Sequence, residues 1–235
     1  MNSTKATARQ AGVLYLLLGI AAFNIIYVPA AFIVPGDATA TARNITAAEL
    51  TYRIGILSGL VSSIIFIFLV LSLYNLLKDV DRKHARLMVI LGSVGAAIGL
   101  ANLLNQIAPL ILLSGADFLS VFTKPQLDAL ALGFLRLRSN GTQVEMAFWG
   151  LWLFPFGILV IKSGFFPKLL GVLLIVGCFA YLTASFTSIV LPAHSQIVSL
   201  VALPFYTIGE LSMIIWLLVK GANVQPLEAR SSHES

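Results

Sequence analysis

Six stretches of 18 or more apolar, largely uncharged residues run through this chain and occupy more than half of it. Each stretch is long enough, at about 1.5 Å of rise per residue, to cross the ~30 Å hydrocarbon core of a bilayer. None alternates apolar and polar residues as a barrel strand does, and backbone groups in lipid must be satisfied internally, so all six are predicted to be helices. These predicted spans are residues 11–34, 54–77, 87–113, 144–161, 169–191 and 197–219.

The composition excludes a soluble fold. Hydrophobic residues make up 58% of the chain and charged residues only 11%, whereas globular domains carry about 25% charged residues. The segments between the spans are too short to fold as a separate domain. We therefore predict an all-α integral membrane bundle of six transmembrane helices. It forms a single domain over residues 1–235, and residues 220–235 are predicted to be a flexible cytoplasmic tail.

The basic residues predict the topology. An even number of spans places both termini on one side of the membrane, and ten of the 15 Lys and Arg residues fall on that side. Positive charge marks cytoplasmic loops, so both termini are predicted to be cytoplasmic. The net charge of +5 then follows from topology. No basic patch interleaved with aromatic residues lies outside the spans, so nucleic acid is not an expected partner. Membrane lipid is an expected partner because the predicted spans cross the bilayer.

Two segments outside the spans have helix signals. Thr46 and Glu49 have the spacing of a capping box, and Glu49 stands four residues before Arg53, which predicts that the second helix begins outside the bilayer. The outer loop, residues 114–143, is predicted to contain an extra amphipathic helix whose apolar face lies on the membrane or covers the bundle. Its signals are a cap at Thr123, Pro125 in the first turn, Arg136 and Arg138 at the carboxyl end, a stop at Asn140-Gly141, and an apolar face of Leu127, Leu130, Phe134 and Leu137.

Four stretches together resemble the bacterial domain-of-unknown-function family 4386. They are ARQAGVLYL at residues 8–16, LYNLL at 73–77, SGFFPKLLGVLL at 163–174, and GEL at 209–211 followed by WLLVKG at 216–221. The resemblance extends over nearly the whole chain. It implies a six-span protein of the bacterial inner (plasma) membrane, and it carries over no catalytic residues.

One acidic residue, Glu210, lies in the middle of the sixth span. A carboxylate at the centre of a membrane helix costs about 2.5–3.5 kcal/mol on insertion scales, so Glu210 should face the bundle interior and be protonated or hydrogen-bonded. Asn24 and Asn102 fall at a similar depth and are the expected partners. Two interpretations stay open, a hydrogen bond that joins helices and a ligand-binding site. A cavity is expected between spans one, three, five and six, and the candidate ligand-binding residues are Glu210, Asn102, Asn24, Gln106, Tyr206, Tyr27 and Tyr181.

Enzyme signals are weak in this sequence. The three histidines, His84, His194 and His233, are scattered over both sides of the membrane, so no metal site is expected. No nucleophile has a histidine at its own depth, so we predict no catalytic residue and no cofactor. The predicted role is binding of a small hydrophobic or protonatable ligand, or stabilisation of a membrane assembly. The alternatives are a small proton-coupled transporter or channel-like oligomer, and an intramembrane enzyme. A homo-oligomer and a larger membrane complex remain open as partners.

Overall fold

A computed structural model of the chain describes residues 2–22 and 24–222, and these residues form nine α-helices and no strand. The predicted tail falls almost wholly outside the described residues. The helices are α1 (Asn2–Ala21), α2 (Asn24–Phe32), α3 (Ala38–Ala47), α4 (Glu49–Leu77), α5 (Arg82–Leu112), α6 (Lys124–Leu151), α7 (Leu153–Ser163), α8 (Lys168–Val190) and α9 (Ser195–Val219).

Five helical segments in the described part of the chain are long and apolar enough to cross a bilayer. They are α4, α5, the consecutive α6 and α7, α8, and α9 with the short turn before it. The first predicted span is divided between α1 and α2. Residues near the two chain ends meet at one end of the bundle, where Gly221 lies against Lys5. We call this the terminal end and the other the opposite end.

The division between α1 and α2 is marked by a break in the helical hydrogen bonds. The amide of Ile25 bonds to the Ala22 carbonyl, one residue out of helical register, and the freed carbonyl of Ala21 accepts a 2.7 Å hydrogen bond from the Ser58 hydroxyl. On the terminal side of this break, Gly12 of α1 lies against the backbone of α9. On the opposite side, α2 packs on α4 at Gly55. α1 therefore packs on both α4 and α9, whereas α2 packs on α4.

The predicted stop at Asn140-Gly141 is wrong, because α6 continues through both residues to Leu151. Gly141 instead lies where α6 crosses α5, and a side chain there would collide with Asn102. The predicted start agrees with the structure: α6 follows Thr123, whose amide donates to Gln126 Oε1 at 2.8 Å. At forty residues, α6 and α7 span about 60 Å, roughly twice the hydrocarbon thickness.

The predicted capping box at the second span is also wrong. Thr46 lies inside α3 and its hydroxyl donates to backbone carbonyls of that same helix. The helix of the second span, α4, begins at Glu49 after Ala48 and has no side-chain cap. Asp37 accepts a 2.8 Å hydrogen bond from the Ala40 amide and caps α3, a short helix that was not predicted. The predicted pairing of Glu49 with Arg53 is confirmed, at 2.7 Å.

Close backbone contacts hold the later helices together. A Cβ on Gly157 of α7 would lie 2.6 Å from the Gly171 carbonyl of α8, so glycine is needed for this approach. Next to this contact Trp152 stacks on Phe156, with ring centroids 5.3 Å apart, and Phe66 of α4 meets Trp152 edge-on at 5.2 Å. These rings form the apolar core at the terminal end of the cavity described below.

Candidate functional site

A cavity of about 490 Å³ lies inside the bundle. Its volume is within the range of small-molecule sites, about 300–1,000 Å³. Spans one, three, five and six were predicted to surround it, and residues of α4 and α6 also line it. On one side the lining includes Gly19 of α1 and the half-exposed Leu203 and Leu211 of α9. These exposed lining residues place the open side of the cavity between α1 and α9.

One wall of the cavity is built around Glu210. The Tyr15 hydroxyl donates to Glu210 Oε2 at 2.6 Å, and the Tyr181 hydroxyl donates to Oε1 at 2.7 Å. Tyr206, one turn before Glu210 on α9, stacks on Tyr181 with ring centroids 4.0 Å apart. Each carboxyl oxygen thus has a hydroxyl donor. The expected partners, Asn102 and Asn24, belong to other parts of the cavity.

A second polar group lies where α5 crosses α6. The amide nitrogen of Asn102 donates to the Arg138 carbonyl at 2.9 Å and to the Thr142 hydroxyl at 3.3 Å. The guanidinium Nε of Arg138 donates to Gln106 Oε1 at 2.5 Å, and the Tyr52 hydroxyl donates to the Gln106 carbonyl at 2.8 Å. These bonds satisfy polar groups that would otherwise be costly in an apolar interior. They fix the position of Arg138.

The face of α6 that carries Arg138 and Thr142 also carries an acidic residue, Glu145. Arg138, Thr142 and Glu145 follow one another at steps of four and three residues, and all three line the cavity. The Glu145 carboxyl lies against Gly99 of α5, where a Cβ would collide with it. Arg138 had been assigned to the end of a helix in the outer loop. That assignment is wrong because α6 does not end there, and the residue is 7% exposed within the bundle.

Asn24, the first residue of α2, has an amide without a partner. The residue is 4% exposed and lines the cavity, yet neither its Oδ1 nor its Nδ2 has a hydrogen-bond partner among the described residues. Both atoms lie beside glycines of α4, where a Cβ on Gly55 would be 2.8 Å from Oδ1 and one on Gly59 would be 3.2 Å from Nδ2. A buried amide with this freedom can donate to and accept from a bound molecule.

The seven predicted site residues divide into two groups. Five of them line the cavity: Glu210, Asn102, Asn24, Tyr206 and Tyr181. Gln106 is fully buried behind the lining as a partner of Arg138. Tyr27 is 39% exposed and packs edge-on against Phe32, with ring centroids 6.4 Å apart.

Three lining residues with functional side chains were missed: Tyr15, Arg138 and Glu145. The signal for two of them was present in the sequence, since Arg138, Thr142 and Glu145 form a helical stripe once α6 is read as continuous. Tyr15 gave no such signal, because a tyrosine near the start of an apolar span is also typical of the membrane interface. In residues 2–22 and 24–222 no group of His, Cys, Asp or Glu side chains is arranged to hold a metal ion.

Comparison with known proteins gives one match. The chain matches a family described as a domain of unknown function, DUF4386, over residues 10–221. No curated protein and no solved structure matches it. The matched segment includes every residue that lines the cavity. The chain therefore belongs to the DUF4386 family.

Proposed function

We propose that this multi-pass membrane protein binds a small hydrophobic molecule with a polar group, which it takes up sideways from the bilayer. The observation that carries the proposal is the cavity of about 490 Å³, whose mostly apolar walls converge on Glu210 and its two tyrosine partners. Buried acids in membrane helices mark ligand or ion pathways. The unpartnered amide of Asn24 supports the proposal, since a ligand would supply its missing hydrogen bonds.

The topology that goes with this function is a six-span bundle with both termini in the cytoplasm. In this proposal α1 and α2 together form the first span, whose apolar run begins after the charged turns around Lys5 and Arg9. The excess of basic residues in loops at the terminal end supports a cytoplasmic location for that end. The exposed apolar side chains of Leu130, Phe134 and Leu137 on α6 suit a surface in contact with lipid at the opposite end.

Proton-coupled transport is the second candidate. The observation that favours it is the presence of two carboxyl groups, Glu145 and Glu210, on the lining of one cavity. Carboxyl groups inside the membrane are typical of proton relays in transporters. A transporter would move its substrate across a sealed vesicle membrane, whereas a binding protein would only hold it, so a flux measurement separates the two. Assembly into a homo-oligomer or a larger complex is compatible with either role.

Contact quenching of tryptophan fluorescence tests the binding proposal. Trp149 and Trp152 line the cavity, so 6-bromo-2-naphthol, a neutral aromatic alcohol, should quench them when it binds in detergent solution. Ser62 also lines the cavity, and Ser62→Phe should fill part of it, whereas the neighbouring Val61 is 41% exposed and lies outside the lining. We expect saturable quenching in the wild type and in Val61→Phe, and its loss in Ser62→Phe. Equal, non-saturable quenching in all three proteins would refute the proposal.

A further inference from the structure

We infer that the cavity selects hydrophobic organic cations. This inference rests on the proposed binding function and specifies the chemical class of its ligand. Two observations carry it, the balance of charges on the cavity lining and the number of aromatic rings that surround the uncompensated charge.

The charge balance leaves one acid without a cationic partner. Three ionisable side chains of unambiguous sign line the cavity: Arg138, Glu145 and Glu210. Arg138 and Glu145 carry opposite charges on the same stripe of α6, where Arg138 donates to Gln106 Oε1. Glu210 is on the other wall, and its hydrogen-bond donors are the neutral hydroxyls of Tyr15 and Tyr181. An ionised Glu210 therefore has no counter-charge among the described residues of the lining, and a bound cation would supply one.

Aromatic rings surround the same part of the cavity. Tyr181 and Tyr206 form a stacked pair beside Glu210, and the ring of Tyr15 lies 5.8 Å from that of Trp152. The six aromatic residues of the lining are Tyr15, Phe66, Trp149, Trp152, Tyr181 and Tyr206. Ring faces attract cations, most strongly where water is excluded, and organic ammonium groups are recognised in this way.

The two features act in the same direction. An organic anion beside Glu210 would meet a like charge, and a neutral molecule would gain apolar contacts and hydrogen bonds but no attraction between opposite charges. A hydrophobic cation would gain those contacts together with the carboxylate and the ring faces, and interactions between charges are stronger in apolar surroundings than in water. We expect a preference on the order of tenfold or more for a cation over an anion of the same shape.

Tetraphenylphosphonium and tetraphenylborate provide that comparison, since they have nearly the same size and shape and opposite charge. Binding of each to the full chain is measured by isothermal titration calorimetry in an uncharged detergent. At least about tenfold tighter binding of the phosphonium is expected. Equal affinity for the two ions, tighter binding of the borate, or no binding of the phosphonium would overturn the inference. Saturable naphthol quenching under the same conditions would show that the proposed binding function nevertheless stands.

Substitutions test whether Glu210 is the charge that makes the cavity prefer cations. Glu210→Gln should lower the phosphonium affinity about tenfold or more relative to the wild type. Glu49→Gln is the matched control, because Glu49 is half-exposed, pairs with Arg53 and lies outside this cavity. Tyr206→Leu serves as a second variant if Glu210→Gln does not fold, and it should weaken phosphonium binding by removing one ring face. Unchanged phosphonium affinity in the folded Glu210 variant, or in Tyr206→Leu when that is the one that folds, would contradict the inference.

Discussion

The Tyr15 hydroxyl donates a 2.6 Å hydrogen bond to Glu210 Oε2, so the first and last helices of the bundle meet at an acid inside the apolar region. Tyr181 donates to the other oxygen at 2.7 Å and brings α8 to the same carboxyl group. One side chain thus joins three helices, and it does so at the lining of the cavity. A group in this position is available both for stability and for binding.

Tyr15→Phe should destabilise the protein, because it removes one donor to Glu210 while keeping the ring. The expected loss is about 1–2 kcal/mol in the free energy of unfolding, as for a strong hydrogen bond between membrane helices. The loss is measured by thermal unfolding in detergent. Tyr206→Phe is the matched control. It keeps the ring stacked on Tyr181 and removes a hydroxyl that makes no hydrogen bond to Glu210 in the described structure, so it should cost less. Equal losses in the two variants would argue against a special role for the bond to Glu210.

Gly141→Ala should destabilise the contact between α5 and α6. A Cβ at this position would collide with the Asn102 side chain, and overpacking of this kind costs about 1–3 kcal/mol. Gly133→Ala on the same helix is the control, because its Cβ would meet nothing within 4 Å. That control should gain up to about 1 kcal/mol from the better helix propensity of alanine. Both are measured as shifts in the unfolding midpoint, and a destabilisation of both by the same amount would contradict this account of Gly141.

Asn24→Leu should stabilise the ligand-free protein. The amide of Asn24 is buried without a partner, which costs about 1–3 kcal/mol, and an apolar side chain removes that cost. Asn102→Leu should have the opposite effect, since Asn102 bonds to Arg138 and Thr142 and each such bond contributes about 0.6 kcal/mol. Unfolding midpoints without added ligand decide the matter. The prediction fails if the Asn24 variant unfolds at a lower temperature than the wild type.

Asp81 should stabilise the terminal end in a pH-dependent manner. Its carboxylate accepts a 2.7 Å hydrogen bond from Lys162, and this bond, followed by those to His84, holds the pKa of Asp81 well below its ordinary value of 3.8. Since the folded-state pKa is the lower one, the stabilisation is complete above about pH 3.8 and is lost as the pH falls further. Asp81→Asn should therefore lower the unfolding temperature at neutral pH.

The difference between Asp81→Asn and the wild type should narrow below about pH 3.8, where Asp81 becomes protonated in the unfolded chain while the folded protein still keeps it ionised. Unfolding temperatures measured from pH 7 down to pH 2 test this, with Asp79→Asn in the same loop as the control. Asp79 is exposed, so its replacement should have little effect at any pH. A difference for Asp81→Asn that stayed constant down to the lowest pH would contradict the assigned ion pair.

The long uncharged runs predicted the helical membrane class and most of the helix positions, because such a run can satisfy its backbone groups in lipid as a helix. It failed where tertiary contacts override local signals. Asn140-Gly141 is a typical helix stop, yet the packing of Gly141 on Asn102 keeps α6 continuous. Correcting this one boundary moves Arg138 from an outer loop to the cavity lining.

The sequence predicted correctly which polar residues share one cavity, but it did not predict which of them are hydrogen-bonded to each other. Counting along untilted helices placed Asn24, Asn102 and Glu210 at one level, and all three line one cavity. Which side chains meet depends on the rotation of each helix and on the division between α1 and α2. Neither is encoded in residue spacing, so the hydrogen bonds of Glu210 to Tyr15 and Tyr181 could not be predicted.

The break between α1 and α2 has a consequence for the size of the ligands that the cavity can admit. The Ser58 hydroxyl bonds to the Ala21 carbonyl at this break, and Ser58 itself is not part of the cavity lining. In the proposed entry from the lipid, this bond holds the helix break at the edge of the opening, so Ser58 would limit the size of the admitted molecule without touching it. Relatives with a different residue at position 58 would then admit ligands of a different size while keeping the same preference for ligand charge.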